Sequence, residues 1–170
     1  MSQALEVPAV PTQGDRELID RAWSVLGDVL DPEVPVLSVV DLGVIRRLEV
    51  GAQRITVGVA PTYSGCPAVE VIERSIKLAL ERAGWREVAV ERLLAPPWTT
   101  EWINAQGREK LRAYGIAPPP RLTGAASMPI PCPRCHSERT ERLSEFGATP
   151  CKALYRCQQC LEPFEHFKCL

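Results

Sequence analysis

Two short cysteine pairs, CPRC at 132–135 and CQQC at 157–160, constrain this chain more than any other feature. Each pair presents two sulfurs from one tight turn, and the spacing C-x2-C-x21-C-x2-C lets both turns close on one tetrahedral ion. The spacer holds extended stretches around 138–145 and 152–157, with Gly147 between them, which is the outline of a zinc ribbon. A module spanning 132–170 with few large apolar side chains needs a metal to hold it together. Cys132, Cys135, Cys157 and Cys160 leave no open coordination position, so the expected ion is structural zinc. The same four thiolates also suit iron or an iron–sulfur cluster.

Six of the seven cysteines lie at or beyond position 132. Besides the two pairs, that stretch holds Cys151, Cys169, His136 and His166. Counted outward from the second pair, Cys151 stands six residues before Cys157 and His166 six after Cys160. A simple hairpin would set them opposite each other, about 20 Å from the zinc at 3.3 Å per residue. Cys151, His166 and Cys169 are therefore a possible second metal or redox site. The opening MSQALEVPAVPTQGDRE has neither a basic start nor an apolar run, so no signal peptide is expected. No stretch reaches the about 18 apolar residues of a membrane span. A cytoplasmic protein with reduced thiols follows as the expectation. A net charge of −1 gives no electrostatic ground for a nucleic-acid or membrane partner.

Ahead of the cysteine-rich part runs APPPRLTGAASMPIP (117–131), whose five prolines can neither continue a helix nor join a central strand. It reads as a linker between a domain at 1–116 and the ribbon at 132–170. In the first domain, Leu18, Ala22, Val25, Leu26 and Val29 recur at helical spacing over 15–30, after an Asp15 cap. Pro32 and Pro35 break that helix. Strands are expected at 44–50 and 54–60, the latter with Ile55, Val57 and Val59 on one face. A helix over about 67–83 carries Val69, Ile72, Ile76 and Leu80, with Gly84 as its stop. A strand at 87–94 and a helix at 99–114 ending near Gly115 complete the order α-β-β-α-β-α. The class is α+β, a small sheet with packed helices plus the ribbon.

The segment PTYSGCPA (61–68) raises the question of function. With Pro67 at the first helical position, Cys66 falls at the N-cap, where free N–H groups and the helix dipole favour an anion. Such a position lowers a thiol's pKa and populates the thiolate that binds metal or attacks electrophiles. The alternative is a small buried hydrophobe. Asp31, Glu33 and Asp41 sit on expected loops of the same domain. No histidine occurs before position 136, so this domain holds no Cys–His hydrolase of its own.

DPEVPVLSVVDLGVI followed by PTYSGCPA resembles the small iron–sulfur-assembly domain family that includes SufT and the cytosolic iron–sulfur targeting factors. The resemblance covers about residues 15–116. It implies one reactive cysteine, Cys66, framed by Asp31, Pro32, Glu33, Asp41, Leu42, Gly43, Thr62 and Pro67. The tail FGATPCKALYRCQQCLEPFEHFKCL extends the likeness over nearly the full length, to the PaaD (or PaaJ) family of phenylacetyl-CoA 1,2-epoxidase subunits. That resemblance implies a role in bacterial phenylacetate breakdown, as an accessory protein that helps mature an iron–sulfur or di-iron centre. Its partners would be the oxygenase and reductase of the epoxidase or iron–sulfur assembly proteins, and its transient cargo iron or an iron–sulfur cluster. The alternative is a non-catalytic structural component or adaptor. Independent catalysis is not expected: the chain has no E-x-x-H di-iron pattern, no Gly-rich dinucleotide fingerprint and no ferredoxin cysteine spacing.

Overall fold

The structure is a computed structural model that describes residues 13–63, 65–120 and 129–168. Helix α1 spans Gln13–Gly27 and buries Ala22 and Leu26. It starts before Asp15, which therefore lies in its first turn and is not its cap, and it stops ahead of the expected residue 30. Turns bonded Asp28 N to Val25 O and Val29 N to Leu26 O release the chain there. Val29 is still buried. Leu30 forms an isolated bridge with Ser38.

Strands β1 (Ile45–Val50) and β2 (Arg54–Val59) form an antiparallel pair, and β3 (Glu87–Arg92) adds parallel to β2. With neighbours on both edges, β2 is buried along almost all its length. Helix α2 (Ala68–Arg82) crosses between β2 and β3, and its stripe of Val69, Ile72, Ile76 and Leu80 is buried. Gly84 takes φ +107° and closes the helix, with its N–H on Glu81 O and that of Trp85 on Leu80 O.

The expected helix at 99–114 is broken. A 3₁₀ turn covers Thr100–Trp102, then Asn104 caps α3 (Ala105–Tyr114) by accepting the Gly107 N–H at 2.6 Å. An Asn in extended geometry satisfies the orphan amides of a new helix better than continuation through Ile103 would. The α-β-β-α-β-α order otherwise holds, and the class is α+β.

A second sheet has the order β4-β7-β6-β5, from Ile116–Ala117, Pro163–Phe167, Lys152–Cys157 and Thr140–Ser144. The edge strand β4 leaves α3 directly and runs parallel to β7. The expected linker at 117–131 therefore begins inside the ribbon sheet. Its described residues are held: Arg108 donates to Pro119 O at 2.5 Å, and Thr140 Oγ1 to Ile130 O at 2.8 Å. Residues 121–128 lie outside the described residues.

The two sheets share a core. Phe167 and Cys151 of the ribbon are buried in the same cluster as Leu26, Val59 and Ile72. The Phe167 ring lies 6.1 Å from that of Trp98, tilted by 52°, and Trp98 Nε1 donates to Leu42 O at 2.9 Å. The ribbon is thus seated on the first sheet's layer, and its inner end becomes part of that layer's site. Among the described residues no helix is long and apolar enough to cross a membrane.

Candidate functional site

The cysteine quartet is gathered as its spacing requires. The sulfurs of Cys132, Cys135, Cys157 and Cys160 all lie within 4.8 Å of one another. Cys132 and Cys160 are 3.8 Å apart, Cys135 and Cys157 3.5 Å. A tetrahedral ion with 2.3 Å bonds to sulfur requires edges of about 3.8 Å, so the donor set fits. The two turns are built alike. Cys132 N donates to Ser137 O and Cys157 N to Glu162 O, each at 3.0 Å. His136 and Leu161, which follow the second cysteine of each pair, both take left-handed backbone, at φ 60° and 64°. His136 therefore serves the turn. Backbone amides of Cys160 and Gln159 donate to the Cys157 sulfur and hold its thiol down, at about 6. Cys160 is pushed up to about 12: the Glu162 backbone bond lowers it, but burial and the three neighbouring sulfurs outweigh that. Four sulfurs this close ionise together only around a cation.

The second feature is a small cleft where the first sheet meets the inner end of the ribbon. Its lining includes Cys66, Thr62, Asp31, Glu33 and Cys151, over walls of Val34, Val59, Ile72 and Phe167. Cys66 is half-buried. The turn before it closes with Cys66 N on Tyr63 O at 3.4 Å, and its carbonyl accepts the Val69 N–H at 3.3 Å. Pro67 takes the cap position, with helical angles of −68° and −22° and no side-chain cap bond. Cys66 thus stands one residue earlier than the N-cap expected for it.

Asp31 folds its own loop, its Oδ1 accepting from Glu33 N at 2.8 Å and Val34 N at 2.7 Å. Burial nonetheless pushes its carboxyl up, more than those two bonds and the Lys152 charge lower it. Burial and the Asp31 charge raise Glu33. Burial is also what raises the Cys151 thiol, with Glu33 and Asp31 adding to it against Thr149 and Lys152. Lys152, the neighbouring cation, is already bound to Glu165 at 2.7 Å. The cleft is rich in electron donors and short of positive charge.

Asp41 does not line this cleft. Its Oδ2 accepts Ser38 N at 3.0 Å and Lys110 Nζ at 2.6 Å, and Asn104 Nδ2 reaches its Oδ1 at 3.3 Å. Burial raises its carboxyl, but Lys110 and the two Ser38 bonds bring the net shift below the usual range. It ties the 38–43 loop to α3. Gly43 ends that loop at φ +66°, where a Cβ would stand 2.3 Å from Trp102 O.

The expected pairing of Cys151 with His166 is corrected by the strand register. His166 lies opposite Ala153, and Lys168 N bonds Cys151 O. Leu161 and Glu162 extend the turn beyond Cys160 before β7 begins, which shifts the count. His166 Nδ1 is 3.1 Å from Ala117 O, and its ring is buried. Cys169 lies outside the described residues. Cys151 instead faces Glu33, with Sγ 3.9 Å from Oε2 and 3.0 Å from Thr149 Oγ1. Sequence reasoning missed this new place for Cys151. The apolar ends of FEHF offered a signal: Phe164 fills the ribbon's own small core, and Phe167 is left to join that of the first domain.

Two family models match separate stretches of the chain. Residues 117–168 match the family model described as PaaD zinc beta ribbon domain, and residues 19–91 that described as Iron-sulfur cluster assembly protein. An Escherichia coli (strain K12) protein is 45% identical over 154 residues, covering 89% of this chain and 93% of its own. Its provisional name makes it the D-type component of 1,2-phenylacetyl-CoA epoxidase. Among solved structures, a domain of unknown function, DUF59, from Bacillus anthracis is 22% identical. It covers 56% of this chain and 92% of its own, with a TM-score of 0.52, and shares the fold of the first domain. A conserved hypothetical protein from Thermotoga maritima is 30% identical over 54% of this chain and 91% of its own, at TM-score 0.47.

Proposed function

Because the chain belongs to the PaaD family of phenylacetyl-CoA epoxidase subunits, we propose that it is an accessory protein of phenylacetate catabolism that matures a metal centre of the epoxidase system. The observation that carries this reading is the cleft at the joint. One half-exposed thiol, Cys66, lines it together with the buried Asp31 and the half-buried Glu33, between apolar walls. Thiolate and carboxylate together suit a first-row metal in transit, and the apolar walls keep competing water away. Among the described residues no histidine lines the cleft, and the buried His166 is engaged with Ala117 O, so binding is favoured over acid–base catalysis. The iron–sulfur assembly match over 19–91 supports the same assignment.

The ribbon is the resident zinc site in this proposal, held by Cys132, Cys135, Cys157 and Cys160. Zinc there supplies no open position and locks the two turns. Its task is to hold β6 and β7 so that Cys151 and Phe167 reach the first domain.

The test is metal analysis of the oxygenase and reductase made in cells with wild-type protein, with Cys66→Ser and with none. Client protein present but short of its metal in the Cys66→Ser cells is the expected result. A fully loaded client in those cells overturns the maturation reading. Stable co-purification with the oxygenase at fixed stoichiometry would then assign the chain as an adaptor.

A further inference from the structure

We infer that Cys151 and Glu33 join Cys66 as ligands of one divalent first-row metal ion, so that the cargo site spans the joint between ribbon and first domain. This rests on the maturation reading and names the ligands it would use. Cys66 and Cys151 come from opposite sides of the joint and line one cleft with Glu33. Cys151 Sγ and Glu33 Oε2 stand 3.9 Å apart. Bonds of about 2.3 Å to sulfur and 2.1 Å to oxygen place two tetrahedral ligands about 3.6 Å apart, so this pair is near coordinating distance. Cys66, which is not gathered with it in this structure, closes on it when the ion binds.

Tyr63 adds an independent observation. Its hydroxyl is sealed from solvent and has no hydrogen-bond partner among the described residues. It stands three residues before Cys66 and packs against the same buried cluster that walls the cleft. A sealed phenol left without a partner so near Cys66 marks a place where a polar or charged guest is missing. In the metal-free protein the Cys151 thiol points its proton at Glu33. Binding would release that proton and the Cys66 proton to water as both sulfurs become thiolates.

The inference separates Cys151 from the ribbon's quartet. Cys151 is not among the four gathered sulfurs, and it contributes to a site that no single domain contains. A protein holding only the first domain would offer Cys66 and Glu33 without the second thiolate.

The experiment uses the full chain with zinc in the ribbon, titrated with cobalt(II) as probe. One cobalt beyond the zinc is expected, with a near-ultraviolet thiolate-to-cobalt band. Cys66→Ser and Cys151→Ala should each reduce that band to about half, since its intensity follows the number of thiolates bound. Glu33→Gln should weaken binding while keeping the band. Zinc content and far-ultraviolet circular dichroism check that each variant is folded, and Cys151→Ser serves if the alanine variant is not. An undiminished band in a folded Cys151 variant overturns the inference. So does a wild-type protein that takes up no cobalt, or one that releases zinc in step with it. These readouts are independent of client loading, so the shared site can fail while the maturation reading stands, and the reverse.

Discussion

Replacing Phe167 with alanine tests whether the ribbon is seated or merely tethered. The side chain is 2% exposed within the first domain's core. Truncating such a phenylalanine costs about 3–5 kcal/mol, because transfer and cavity terms add. Its tilted contact with Trp98 falls within that range and accounts for roughly 1 kcal/mol of it. We expect a loss of about 4 kcal/mol, a large part of the ~5–15 kcal/mol that holds an ordinary domain. Phe146 is the control. It is on the same module, 60% exposed, with Lys168 Nζ 4.4 Å from its ring centroid. Its alanine variant should lose no more than about 1 kcal/mol. Urea unfolding of the zinc-loaded proteins, followed by circular dichroism and tryptophan fluorescence, measures both. Wild type should unfold in one transition, while Phe167→Ala should separate ribbon from first domain. A loss below about 1.5 kcal/mol with a single transition would refute the shared core.

Cys157→Ser should release the ribbon metal, whereas Cys151→Ser and Cys169→Ser should retain it, as read by zinc content; loss of zinc in Cys151→Ser would reassign the quartet. Gly43→Ala should cost about 3 kcal/mol or more, since its Cβ meets Trp102 O at a positive φ; a melting temperature within error of wild type would contradict that. Asp31→Asn should stabilise the protein at neutral pH, because an amide oxygen still accepts from Glu33 N and Val34 N without burying a charge. Asp31 has a raised folded pKa, so its protonation stabilises the wild type as pH falls through that value. The advantage of the asparagine variant should shrink over the same range, levelling off below the unfolded value of about 3.9. Urea midpoints at pH 7.5 and 4.5 check the sign, and a variant less stable at both would refute it.

The quartet is legible in the sequence because its information is local: spacing alone places two turns and four sulfurs. Helices α1 and α2 are legible for a similar reason, their apolar stripes being periodic. What escapes depends on contacts between distant segments. Nothing in CKALYRC says that Cys151 will meet Glu33, because that depends on where Phe167 docks and on two residues, Leu161 and Glu162, that shift the register. Asp41 reads as part of the cysteine's surroundings, yet Lys110 and Asn104 claim it. The break at Asn104 is readable in principle, since Asn ahead of a helical run is a cap signal. Continuous helical pattern on both sides obscures it. The proline-rich stretch reads as a gap in packing, although Ile116–Ala117 enters the ribbon sheet as a strand.

That short parallel strand also sets an order of events during synthesis. Cys66, Glu33 and Asp31 leave the ribosome early, on a domain whose own elements are complete by α3. Of the facing wall, Cys151 follows β4 and the first cysteine turn, and Phe167 arrives only after the second. A growing chain therefore carries a lone thiol without its opposite wall. If the ribbon takes up zinc as proposed, the ion would draw β6 and β7 into register on β4 and so complete the cleft. Zinc supply would then act as a checkpoint, keeping each new molecule from offering its assembled cleft before its ribbon is finished.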